Sequence, residues 1–152
     1  MINVRSLAIR RLDEIIGYPL IYTIKSPDMD LCNFGFGFAG EYPSAKHDST
    51  YVRPIFAIHS VCLVSLQDKR TGITEHIFED TPHTVFGNTF HNVLGGIVKR
   101  VAITKRGNLS VELESHIIKF TATYIDEENW RFFRLESPEK HIVEIGRRIY
   151  FL

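Results

Sequence analysis

Two cysteines are too few to staple a chain of 152 residues, and Cys32 and Cys62 each sit inside an apolar run rather than in a spaced pair. Free, buried thiols in a reducing compartment are the expectation, and with them an intracellular, cytoplasmic chain. Long apolar runs are missing as well. No stretch approaches the roughly 20 residues that a membrane-spanning helix needs. The first sixteen residues carry Arg5, Arg10, Arg11, Asp13 and Glu14 without an apolar core, so no secretory signal is expected. An excess of either charge is lacking too: 18 Lys and Arg balance 18 Asp and Glu. That balance removes the electrostatic footprint of a nucleic-acid binder. With no repeat, low-complexity tract or linker, the chain reads as a single domain over residues 1–152.

What is present favours sheet. Eleven Phe and six Tyr raise the aromatic share to 12%, and aromatics suit half-buried pleated surfaces. The spacing of Val4, Leu7, Ala8, Leu12, Ile15 and Ile16 predicts a helix that stops at Gly17, with Pro19 beyond it. A strand over 20–25 follows, then a turn at Ser26-Pro27-Asp28. Residues 31–38 alternate, with Cys32, Phe34, Phe36 and Phe38 on one face and Leu31, Asn33, Gly35 and Gly37 on the other. Glycines on one strand face imply close packing against the backbone there. Residues 41–54 read as a loop, and the apolar run 55–66 as one central strand covered on both sides. A hairpin through Asp68–Gly72 leads to 73–78.

Thr81 and Pro82 are expected at the N-cap and first position of a second helix. Its predicted stripe is Val85, Phe86, Phe90, Val93 and Leu94, and Gly95-Gly96 close it. The last third reads as a meander of strands near 97–104, 109–114, 117–124, 130–135, 141–145 and 148–151. The fold class expected is therefore α+β: two helices on a curved, mainly antiparallel sheet of roughly eight strands.

Chemical motifs are sparse. Gly35-Phe36-Gly37-Phe38-Ala39-Gly40 spells G-x-G-x-x-G, but Pro43 and the absence of a following helix deny it the helix N-terminus that a pyrophosphate needs. Seven histidines, at 47, 59, 76, 83, 91, 116 and 141, form no zinc-ligand spacing, so no metal and no cofactor are expected. Ser60 beside His59 points to the opposite strand face and cannot be activated by it. Asp28, Asp30, Asp126, Glu127 and Glu128 lie in turns, where carboxylates are solvated. No catalytic residue is assigned. His59, in the most apolar segment, reads as a satisfied core histidine or as a general base. In Glu127-Glu128-Asn129-Trp130-Arg131-Phe132-Phe133, Trp130 reads as a core anchor, or with Arg131 as an interaction hot spot. His59, Trp130 and Arg131 are thus the candidate partner or ligand contacts.

The strand Asn33-Phe34-Gly35-Phe36-Gly37, the apolar strand 59–64, the hairpin at Gly107-Asn108 and the Trp130-Arg131-Phe132-Phe133 string together resemble a group of small bacterial proteins. Some of that group are immunity-like and encoded beside polymorphic toxins. The resemblance implies a non-enzymatic domain whose partner is another protein, blocked sterically, and it supplies no catalytic residues. The competing expectation is a small-molecule-binding domain or enzyme with a pocket near His59 and the Gly35 and Gly37 face. An open pocket with convergent polar groups favours the second; a filled core with a flat exposed patch favours the first.

Overall fold

The computed structural model describes residues 3–26, 31–43 and 50–152. Pro27, Asp28, Asp30 and His47 of the sequence reading lie outside them. Helix α1 spans Val4–Leu12 and tightens into a 3₁₀ turn at Asp13–Ile15. Asn3 caps it, its side chain accepting the Arg5 N–H at 2.9 Å. Gly17 then takes φ +92°, a left-handed turn that ends the helix as expected. Only Ala8, Leu12 and Ile15 of the apolar stripe reach the core; Val4, Leu7 and Ile16 are exposed.

Among the described residues eleven strands follow in two antiparallel sheets, not one sheet of eight, while the α+β class stands. The strands are β1 Leu20–Lys25, β2 Cys32–Pro43, β3 Thr50–Ser60, β4 Leu63–Asp68, β5 Thr74–Ile77, β6 Arg100–Ile103, β7 Leu109–Glu112, β8 His116–Thr121, β9 Glu128–Arg134, β10 Ile142–Ile145 and β11 Arg148–Phe151. One sheet runs in the order β1-β2-β3-β9-β10-β11, the other β5-β4-β8-β7-β6. The stretch read as a single central strand is two. The chain leaves the first sheet after Ser60 and enters the second at Leu63. Between them the Val61 N–H donates to the Asn129 carbonyl at 3.0 Å. Apolar side chains continue through this corner because both flanks feed one core, so hydrophobicity gave no sign of the break.

The 41–54 segment also differs from its reading as a loop: β2 reaches Pro43 and β3 begins at Thr50, pairing through Tyr42 and Tyr51. Helix α2 spans His83–His91. Pro82, with ψ 146°, is its N-cap rather than its first residue. The Thr81 hydroxyl is used elsewhere, accepting the Phe78 N–H at 2.9 Å.

The two sheets face each other across one core. Phe34 of β2 meets Phe120 of β8 edge-on at 5.2 Å, and Phe86 and Phe90 of α2 close around the same ring. Ala8 and Leu12 of α1 and Phe86 and Phe90 of α2 join this core. Helix α2 packs beside β1, and α1 beside the opposite edges β11 and β6.

Candidate functional site

Alternation along β9 decides where the candidate residues go. Trp130 and Phe132 point inward and are fully buried, while Arg131 and Phe133 point to the outer face of the six-stranded sheet. Trp130 therefore offers no surface to a partner; its indole is part of the core. Strand registry places Ile24, Asn33, His59, Arg131, Val143 and Tyr150 in one row that crosses all six strands. The neighbouring row on the same face runs Tyr22, Gly35, Ala57 and Phe133. His59 and Arg131 are thus cross-strand neighbours, and Trp130 lies on the other side of the sheet.

The glycine face is filled. A Cβ at Gly35 would lie 2.3 Å from the Tyr22 ring, and one at Gly37 2.9 Å from Tyr18 and 3.0 Å from Ile55. The close packing expected of those glycines is real, and it is made by side chains of this chain. Gly37 also takes φ +75°, and the pairing shifts between Phe38 and Gly40. This turns Phe38 out to 56% exposure instead of inward with Phe34 and Phe36.

The outer row is organised around Arg131. Its Nε and Nη2 donate to Glu128 Oε2 and Oε1 at 3.1 and 2.7 Å, a two-pronged ion pair. Nη1 donates to His141 Nδ1 at 3.0 Å, which requires that nitrogen to be unprotonated and places the His141 proton on Nε2. Phe133 stacks on His141 at 4.6 Å and meets His59 edge-on at 4.8 Å. Partial burial, then the Arg131 charge, lowers both imidazole pKa values below 6.5. Asn33 Oδ1, on the strand beside His59, is buried and accepts no hydrogen bond among the described residues. Ser60 faces inward and bonds Cys62 Sγ at 3.2 Å, so it is not placed to be activated by His59.

In comparison with known proteins, no family model, curated protein or solved structure matches this chain.

Glu128, Phe133, His141 and Tyr22 belong to this surface, though the sequence reading did not single them out for it. The odd-numbered phase of β9 puts Phe133 on the outer face with Arg131, and the glycine gap receives Tyr22; Glu128 and His141 join through strand pairing and had no local signal. Cys32 and Cys62 are both buried and form no disulfide with each other, and burial pushes the Cys62 thiol up to about 11. Among the described residues no group of three or more His, Cys, Asp or Glu side chains is arranged to hold a metal. No helix there is long and apolar enough to cross a membrane.

Proposed function

We propose that this chain is a non-enzymatic protein-binding domain that works by covering a partner protein, in the manner of the immunity-like proteins its layout resembles. The supporting observation is the outer face of the six-stranded sheet. Neither helix packs across this face, α2 lying beside β1 and α1 at the edges β11 and β6; Ala57 and Val143 are buried within it, while Ile24 and Tyr150 at its margins are exposed. Its exposed members include Ile24 at 50% and Leu152 at 58%, with the aromatic and imidazole groups between them. The outer face of the five-stranded sheet is different: Gln67, Ser110, Glu112 and Lys119 are half-exposed polar side chains there, and the buried Ser65 hydroxyl is already paired with His76. A mixed aromatic face on which Glu128 holds Arg131 has the make-up of a recognition surface.

Co-expression with the product of the gene beside its own, followed by co-purification, tests the reading. The wild-type chain is expected to retain that protein. Ile24→Asp and His59→Glu are expected to release it while melting close to wild type. Retention by both variants, or no complex with wild type, would sink it.

A further inference from the structure

The corner where the chain crosses from β3 to β4 leaves a cleft of about 270 Å³, lined by residues of both sheets. Its floor and walls are mainly apolar, including Cys62, Leu63, Ile77 and Phe78. Lys25, the last residue of β1, enters it with 9% exposure. The Lys25 ammonium donates to the main-chain carbonyls of Glu79 and Thr81 at 2.8 and 2.7 Å. An ammonium has three N–H groups, so one donor remains. No carboxylate pairs with it among the described residues. Burying a cation that lacks a counter-charge among the described residues is costly, and an anion that enters the cleft lowers that cost. Glu79 is exposed at the rim, where its carboxylate accepts the Tyr124 hydroxyl at 2.8 Å.

We propose that this cleft binds a small molecule carrying a single carboxylate on an apolar body, with the carboxylate against Lys25 Nζ and the body along Leu63, Ile77 and Phe78. The volume lies just below the range of drug-sized pockets, which suits a short aliphatic or monocyclic acid. Cys62 is a neutral wall for it, since its thiol holds its proton far above neutral pH. The site is separate from the outer face of the six-stranded sheet, and either can fail without the other.

The probe is octanoate, compared with 1-octanol, in an NMR titration of the full chain. Octanoate is expected to shift amides around Lys25, Leu63 and Ile77, and to bind about tenfold or more tightly than the alcohol, the usual worth of a charge-assisted contact. Lys25→Met should abolish that preference and leave the alcohol within about twofold. If Lys25→Met does not fold, Thr123→Trp, at an exposed lining position, decides: it should block both molecules. His59→Glu should change neither. Equal affinity for acid and alcohol, no binding by wild type, or binding untouched by Lys25→Met or Thr123→Trp would overturn the proposal.

Discussion

Trp130 of β9 donates its indole N–H to the carbonyl of Gly107, 2.8 Å away in the turn between β6 and β7. This one bond joins the six-stranded sheet to the five-stranded sheet. It satisfies the polar edge of the largest fully buried side chain, and Gly107 at φ +82° sets the carbonyl in place.

Trp130→Ala should therefore destabilise the fold by about 3–5 kcal/mol, through lost burial and the cavity left behind. Trp130→Phe should cost less, since it keeps the ring and loses the bond. Urea unfolding followed by far-ultraviolet circular dichroism measures both. A Trp130→Ala midpoint equal to wild type would contradict the anchoring role.

Gly35 and Tyr22 should behave as one unit. A methyl at Gly35 meets the Tyr22 ring at 2.3 Å, so Gly35→Ala forces that ring away. The expected loss is about 1–3 kcal/mol, the usual range for overpacking. In a Tyr22→Ala background the same substitution should be nearly neutral. Four melting curves complete the cycle, and additive effects would show that the contact does not matter.

Arg131→Met should raise the pKa of both His59 and His141. Burial lowers each first and the guanidinium lowers it further; the variant removes only the second cause and leaves the Glu128 carboxylate unpaired nearby. Imidazole proton shifts followed against pH measure this. The sign for stability follows. Folded values below 6.5 mean that the unfolded chain takes up protons first, so stability is lost as pH falls below about 6.5. Arg131→Met should shrink that loss. Unmoved histidine titrations would contradict the electrostatic account.

Glu144 should produce the opposite slope. It is fully buried on β10, accepting from Asn129 Nδ2 at 2.6 Å and the Arg147 N–H at 2.5 Å. Burial raises its pKa above 4.5, and these hydrogen bonds only partly offset the rise. The folded state thus favours the protonated carboxyl. Its contribution is fully present below the unfolded value and is lost as pH rises through the folded one. Wild type should lose stability relative to Glu144→Gln as pH rises above about 4.5. A constant difference in urea midpoint across that rise would refute the assignment.

Much of the fold was legible because burial has a period. The phase of β9 put Trp130 and Phe132 inside and Arg131 and Phe133 outside, and β1, β5, β7 and β11 fell close to their expected places. Periodicity says which face is buried, not which sheet holds it. Val61 and Cys62 are as apolar as their neighbours, so the passage between sheets at that point left no mark. The exposed Val4, Leu7 and Ile16 show the same limit from the other side, because a stripe can be wider than the surface available to cover it. The outer-face cluster was only half visible. His59 and Arg131 stood out as types and the phase of β9 set Phe133 beside Arg131, but Glu128 and His141 join them through the pairing of β3, β9 and β10, which no local pattern encodes. The Lys25 cleft was not legible at all, since it depends on a corner that the sequence reading treated as straight strand.

The order of the six-stranded sheet sets a sequence of events in time. β3 and β9 are hydrogen-bonded neighbours, yet the whole five-stranded sheet and α2 lie between them along the chain. β6, β7 and β8 form a local meander that can close quickly, whereas the β3–β9 seam must wait for the ends of a long intervening segment to meet. Pulsed hydrogen exchange during refolding should therefore protect the amides of Val111 and Ile118 before those of Ile58 and Phe132. The outer face that His59 and Arg131 share is then among the last surfaces to form, and it exists only in a chain that has finished folding.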